Sequence, residues 1–398
     1  MAQTDVLITG IGCITPIGFN REENLASLRI GKCGLERAKI FQSKYASEFY
    51  FGEVDADEER LRSWVDVIGL KGITRTDLLA MKAFAEAVAD AGLAADVLSE
   101  HETAFISAST VGGMCRTNQL YDDSNLKSET TEFLESYSGH AHALQICRKH
   151  RLKGLVDVIN TACSSSANAI MNGARLIRSG RAKRVIVGGV DSLSKYTVNG
   201  FNSLQILSPE RCAPFDAGRQ GLNLGEAAGY LVLESGAQAS GKKVYAKVSG
   251  YGNSNDAFHA SSMSDNATGI LRAMRDAVQV ASIEPGQVNY INAHGTGTQN
   301  NDQVELVGFK SFFETVPPFS STKSFVGHTL GAAGAIEAIY SILGLVHGEM
   351  YANLNFKIPV EGFNLAPLTQ MTKADLRYVM SNSYGFSGNC TSLIFQRV

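Results

Sequence analysis

The sequence lacks the marks of several protein classes. No block of like charge runs through its 398 residues, and the formal net charge is only −3. The clustered basic surface of a nucleic-acid binder is therefore not expected, although a local basic patch for an acidic partner stays open. No uninterrupted apolar run approaches the ~18 residues needed to span a bilayer. The first residues, MAQTDVLITG, carry an acid where a secretory signal carries positive charge, so the expected location is cytoplasmic. Proline is scarce, 8 residues against 39 glycines, which favours tight turns and close backbone approach over extended linkers. Seven cysteines, scattered from Cys13 to Cys390, make no disulfide framework. They fit a reducing compartment, most of them as small buried hydrophobes. Hydrophobic residues at 44% against 19% charged exclude a disordered chain.

What is present is alternation. Short β-branched runs at residues 6–9, 103–108, 156–160, 185–188, 244–250, 288–293 and 392–396 read as strands. Helical patterns at 78–91, 165–179, 268–281 and 332–347 lie between them. This order predicts α/β layers with helices covering largely parallel sheets. VLITGIG near the start and AKVSGYG at 246–252 both run a strand into a Gly-x-Gly turn. They suggest a duplicated architecture, with halves 1–240 and 241–398 meeting near SGAQASGK at 235–242.

Three tempting signals fail. GIGCITPIG follows a strand, but Thr15 stands where a dinucleotide fingerprint needs Gly, and Pro16 disturbs the helix start. GHTLGAAG at 327–334 lacks the Lys-Ser/Thr of a phosphate loop. His140 and His142 form an isolated H-x-H without further ligands at metal spacing. They read as two histidines on a helix near the surface.

Four segments carry chemistry. In VDVINTACSSSANAIMNGARLI, residues 156–177, a strand ends near Asn160 and a helix begins just after Cys163. A helix N-terminus stabilises a thiolate, and the small neighbours Thr161, Ala162, Ser164 and Ser165 leave the sulfur approachable. A small buried cysteine is the ordinary reading of any single Cys; the partner segments favour a nucleophile. VNYINAHGTGTQNND, residues 288–302, delivers His294 from a strand end into a glycine turn, the place where α/β sites assemble. Thr296 and Thr298 offer hydroxyls to an extended polar substrate arm. STKSFVGHTLGAAGAIEAIYSI, residues 321–342, sets Lys323 and His328 before a helix that opens on Gly and Ala. A nearby ammonium disfavours the imidazolium, so His328 stays neutral and donates an N–H. SNSYGFSGNCTSLIFQ, residues 381–396, makes a tight loop around Phe386, suited to an oxyanion donor and an aromatic gate.

In this order the segments resemble the β-ketoacyl-[acyl-carrier-protein] synthase I/II family over essentially the whole chain, including PFDAGRQGLNLGEAAGYLVLE at 214–234. Thr161–Ser165 matches the family's T-A-C-[SA]-[SA], residues 294–298 its H-G-T-x-T, and residues 323–334 its K-S-x-x-G-H-x-x-G-A-[AS]-G. The resemblance implies the thiolase fold, a duplicated five-layered αβαβα architecture with two mixed sheets. It implies decarboxylative condensation of a Cys163-bound acyl group with malonyl carrier protein, in fatty-acid, polyene or polyketide-type elongation.

Further roles follow from the same resemblance. His294 and His328 stabilise an enolate, Lys323 orients His328, and the backbone N–H groups of Cys163 and Phe386 hold the other oxyanion. Thr296 and Thr298 bind the phosphopantetheine that arrives on acyl carrier protein, and Val111 limits the acyl pocket. No cofactor is required; a structural Na+ or K+ would sit on Asn292, Glu337, Ser381 and Asn382. A homodimer is implied, with a heterodimer as alternative. The loop departs from the family's usual G-F-G-G-T-N, reading Gly385-Phe386-Ser387-Gly388-Asn389-Cys390, which points to a specialised synthase. Two other readings stand beside this one: a non-catalytic chain-length partner, which would lack the nucleophile, and a thiolase, which would use a second Cys as base.

Overall fold

A computed structural model describes residues 4–68 and 70–398. In the first half, β1 (Val6–Ile14), β2 (Thr103–Ala108), β3 (Val156–Ile159), β4 (Arg184–Asp191) and β5 (Ala227–Ser235) form a sheet in the order β3-β2-β4-β5-β1. The second half repeats this with β6 (Ala246–Asn255), β7 (Tyr290–Asn292), β8 (Phe319–Ser320), β9 (Tyr378–Tyr384) and β10 (Asn389–Gln396), in the order β8-β7-β9-β10-β6. The pairing senses repeat as well. β2 is parallel to β3 and β4, as β7 is to β8 and β9. β5 is antiparallel to β4 and β1, as β10 is to β9 and β6.

The sheets are therefore mixed, not largely parallel. β9 turns straight back into β10, and β4 returns to β5 through residues 192–226, a connection that includes the helix Lys195–Ser203, so in each half the next strand runs the other way. The two five-stranded sheets run into one another where β1 pairs with β6 at Leu7↔Lys247 and Ile8↔Ala246.

Helices complete five layers. α1 (Arg75–Asp90) and α2 (Ala141–His150) cover the outer face of the first sheet; α4 (Thr268–Ala281) and α5 (Gln299–Phe312) cover that of the second. α3 (Ser165–Arg178) and α6 (Ala333–His347) lie between the sheets. α1 starts on a capping box, the Thr74 side chain meeting the Asp77 N–H while Asp77 accepts from the Thr74 N–H. In the middle layer a Cβ on Gly334 would stand 2.6 Å from the Ala167 nitrogen, so only glycine lets α3 and α6 approach this closely. The stretch Leu330–His347 is apolar and long enough to cross a membrane, but 89% of it is buried, which marks it as the core helix of this fold.

His142 is not at the surface. It is buried on α2, its Nε2 lying 2.7 Å from Ser107 Oγ, which in turn meets the Tyr230 hydroxyl at 2.8 Å. Burial lowers its pKa to about 4, so it is a neutral core group. All seven cysteines are free thiols.

Candidate active site

Loops from the corresponding ends of both halves converge on one cleft of about 410 Å³. Cys163, His294, His328, Thr296, Thr298 and Phe386 all line it, with Gln, Asn and Ser side chains further out. The Cys163 sulfur and a nitrogen of each imidazole lie within 4.8 Å of one another. The two rings are 5.6 Å apart and nearly perpendicular.

Cys163 follows β3 through a sharp elbow. Ala162 is forced to φ +53°, a left-handed conformation costly for a residue with a Cβ. α3 begins at Ser165 with Ser164 as its cap, so the sulfur sits just outside the helix N-terminus. It is only 5% exposed, and burial lifts the thiol pKa to about 11. The N–H groups of Phe386 and of Cys163 itself, both directed at the sulfur, and the Lys323 charge pull it back only in part. The resting group is a thiol rather than the thiolate expected from the helix position, because desolvation outweighs these donors.

His294 leaves β7 with its backbone N–H held by Glu305 Oε1 at 2.8 Å, while Glu305 Oε2 takes the Gly295 N–H at 2.8 Å. Glu305 is buried on α5, and burial raises it to about 8. Asp302, one turn earlier, holds the Gly297 and Phe215 N–H groups at 3.1 and 2.7 Å. Neither acid is apparent from the sequence motif alone. The signal that could have found them is the spacing of three between two acids on a helix opening just after H-G-T-G-T.

Lys323 bonds to His294 rather than His328. Its Nζ lies 2.7 Å from the His294 carbonyl and 3.1 Å from His294 Nδ1, and it pairs with the buried Glu337 carboxylate. The expected role of orienting His328 falls to the chain itself: the Leu330 N–H donates to His328 Nδ1 at 3.1 Å. Both Nδ1 atoms thus face donors, so each neutral ring carries its proton on Nε2 and directs it into the cleft. Among the described residues, His328 Nε2 is buried with no partner. Burial and Lys323 hold both imidazoles well below their usual pKa, with His328 adding to the effect on His294. Burial lifts Glu337 to about 7, against the pull of Lys323.

Gly385 brings the last loop in. A Cβ there would meet the Thr161 carbonyl at 2.6 Å, so only glycine allows the loop against the Cys163 turn. The Phe386 ring stacks on Phe201 at 5.7 Å and 16°, closing one wall. Val111 does not line the cleft. It is buried behind the wall of the cleft, in an apolar cluster with Leu193, Val198 and Leu222 against which Phe201 and Ile206 pack; Leu222, Phe201 and Ile206 themselves line the cleft. Its N–H donates to Asp191 Oδ1 at 3.0 Å. Thr296 and Thr298 share a hydrogen bond of 2.8 Å.

Asn292 and Ser381 face each other in the β7–β9 ladder, close to Glu337. The Ser381 hydroxyl is buried without a partner among the described residues, an oxygen available to a hard cation. Asn382 spends its side-chain oxygen on the Ser392 hydroxyl at 2.8 Å.

Residues 3–239 match the family model of the beta-ketoacyl synthase N-terminal domain, and residues 245–357 that of its C-terminal domain. The chain belongs to the beta-ketoacyl synthase family. It is thus an acyltransferase of the condensing type. Among beta-ketoacyl synthases, the 3-oxoacyl-[acyl-carrier-protein] synthase 2 of Rhizobium meliloti is 33% identical over 98% of this chain and 98% of its own. A chain of the structure titled the ishigamide ketosynthase/chain length factor superposes with a TM-score of 0.94 at 30% identity, covering 100% of both chains. A chain from the complex of a ketosynthase with its chain length factor from Xenorhabdus doucetiae gives 0.85 at 30%, covering 99% of this chain and 98% of that one.

Proposed function

We propose that this synthase elongates carrier-bound acyl chains, with Cys163 holding the acyl group and the two histidines activating malonyl thioester. One observation supports the reading above the others: both imidazoles, tied at Nδ1, present Nε2–H donors beside a nucleophilic sulfur. In acyl transfer the Cys163 sulfur bonds the acyl carbon, the carrier's C–S bond breaks, and the thiol proton leaves on the carrier sulfur. The oxyanion formed meanwhile rests on the N–H groups of Cys163 and Phe386. Malonyl thioester then loses CO2, and its enolate oxygen accepts from His294 and His328, whose low pKa keeps them neutral donors. The enolate carbon attacks the acyl carbonyl, the C–S bond to Cys163 breaks, and the departing thiolate takes a proton from solvent. Two oxyanions thus use two separate donor sets.

Thr296 and Thr298 fit the phosphopantetheine arm on the acyl carrier protein, lying along the cleft outside the reacting groups. The acyl chain is received by the apolar cluster around Val111 once Phe386 leaves Phe201. Na+ or K+ on Asn292, Glu337 and Ser381, with Asn382 beside them, would brace the site beneath Lys323 without entering the reaction. The enzyme works in the cytoplasm as a dimer. The homodimer is the first reading; a heterodimer with a chain length factor is the second, favoured by the ketosynthase complex from Xenorhabdus doucetiae. Cys163 argues against the non-catalytic partner. A thiolase is disfavoured because, among the described residues, no second thiol lines the cleft.

Incubation with a panel of acyl and malonyl carrier thioesters, read by intact mass, tests this. Acyl adducts on Cys163 followed by 3-oxoacyl carrier are expected; a protein that never gains an acyl mass would sink the proposal.

A further inference from the structure

The site's two oxyanion donors come from segments more than two hundred residues apart, and each segment is strained. Ala162, before Cys163, and Ser387, after Phe386, are both non-glycine residues at positive φ, +53° and +66°. Such conformations persist only where the surroundings over-determine them. Among the described residues, the side chain that spans the two segments is Asn389. Its Oδ1 accepts from Ser164 Oγ at 2.7 Å on the nucleophile side, and from Asn168 Nδ2 at 2.9 Å within α3. Asn253 Nδ2 on β6 donates to the same oxygen at 3.0 Å and Thr391 Oγ1 at 3.4 Å. The second N–H of Asn168 donates to Thr161 Oγ1, at the start of the elbow, at 2.8 Å, and Ser164 Oγ, whose single proton is shared with Asn389, lies 2.8 Å from the Thr161 carbonyl.

The other anchors of the loop face away from the sulfur. The Ser387 N–H donates to the Ala260 carbonyl and the Asp256 N–H to the Gly388 carbonyl, both at 2.8 Å. Those bonds fix the far side of the loop to residues 256–260 and do not touch the elbow.

We propose that Asn389 is a positioning residue for acyl transfer: its side-chain oxygen clamps the Phe386 loop to the Cys163 turn, so that both N–H donors meet at one sulfur and the Phe386 ring moves from a fixed starting point. The inference rests on the function proposed above. It predicts an asymmetric effect, because His294 and His328 are held by Lys323, Glu305 and Leu330 and owe nothing to this clamp. The charge environment agrees: the Phe386 N–H is the largest influence holding the Cys163 thiol down against burial.

The test uses the full-length enzyme with hexanoyl pantetheine as acyl donor and malonyl pantetheine as decarboxylation probe. Asn389→Leu keeps the shape and removes the acceptor; Ser164→Ala removes one donor and perturbs folding less. Asn389→Leu should slow single-turnover acylation about tenfold, as expected for misplacing an oxyanion donor without deleting it, while decarboxylation stays within about twofold. Ser164→Ala should shift in the same direction by less, and the double variant should be no slower than Asn389→Leu, because both act through one hydrogen bond. The rate of Cys163 alkylation against pH should move to higher pH in Asn389→Leu as the Phe386 N–H leaves the sulfur. Equal loss of both half-reactions, loss of neither, or an unmoved alkylation curve overturns the clamp. If the unaltered enzyme neither takes the hexanoyl group nor decarboxylates, it is the proposed function that fails, and the clamp falls with it.

Discussion

The two halves of this molecule share a strand order and differ in what they hang from it. After β3 the first half carries the Cys163 elbow; after β8, at the equivalent point, the second carries Lys323 and His328 before α6. The connection after β2 leads to Val111, and its counterpart after β7 leads to His294. β4 and β5 are joined by residues 192–226, β9 and β10 by only residues 385–388, yet Phe201 of the long connection stacks on Phe386 of the short one. On the proposed function, the first half supplies the nucleophile and shapes it by backbone strain. The second supplies donors and fixes them by buried charge, with Lys323, Glu337, Asp302 and Glu305 all within it. Repetition gives the geometry of convergence; the chemistry comes from how each connection is braced.

That division can be broken outright. Cys163→Ala should abolish acyl transfer to the protein while malonyl decarboxylation survives. His294→Ala and His328→Ala should do the reverse, with decarboxylation falling ~100- to 1,000-fold and acyl-enzyme still forming. Equal loss in all three variants, with folding intact by circular dichroism, would show that the halves do not divide the labour.

Next in size is the charge brace. Lys323→Ala leaves Glu337 buried without its cation and should cost about 3–5 kcal/mol in chemical denaturation. Burial raises Glu337 in the folded state to about 7, so its contribution is intact below the unfolded carboxylate range and is lost as pH rises through the folded pKa. The deficit in Lys323→Ala should therefore widen between pH 6 and pH 8. A deficit that shrinks over that interval contradicts the ion pair.

The strained half makes a prediction about reactivity. With its thiol near 11, Cys163 should react with iodoacetamide slowly at pH 7, its rate rising about tenfold per pH unit towards pH 10. Peptide mapping of time courses at several pH values decides this; a plateau already reached at pH 7 would mean a depressed pKa. Smaller effects should sharpen the picture. Val111→Phe overfills a close-packed cluster and should shorten the longest acyl chain accepted, sparing the shortest substrates. Uniform slowing across a ladder of chain lengths, with a lower melting temperature, would make Val111 simple core. Ser387→Gly removes one positive-φ side chain and should stabilise the fold by about 1 kcal/mol; a loss of stability would mean that the Ser387 side chain earns its place by contacts.

Much of this site was legible because the residues proposed to react sit in turns of small residues, glycine around His294 and His328, alanine and serine around Cys163, where residue type and spacing announce chemistry. Cys163, His294, Lys323 and His328 were found that way. The roles of Glu305, Asp191 and Asn389 were not, since each shows only in the hydrogen bonds it accepts: Glu305 from the nearby His294 and Gly295, Asp191 and Asn389 from segments remote in sequence. Asp191, for example, collects the N–H groups of Thr110, Val111 and Gly331 at 3.0, 3.0 and 2.7 Å. The partner of Lys323 was misread for the same reason: His328 is nearer in sequence, His294 nearer in space. Of the strands, β9 escaped notice because Ser381, Asn382 and Ser383 interrupt its apolar run, although all three are buried. β5 was missed because Ala227, Ala228 and Gly229 open it without a β-branched residue.

The strand order also has a consequence for synthesis. In the first half, the inner strands β4 and β5 are complete by Ser235, so that sheet can close while the ribosome is still making the rest. The second half cannot follow the same timetable. Its inner strands, β9 and β10, are the last to be translated, and until they emerge β7 and β8 have nothing to join them to β6. Meanwhile α6 can settle on α3 and β5 of the finished first half but waits for the β9 surface it also packs on. At the usual ~5–20 residues per second, that interval lasts for seconds.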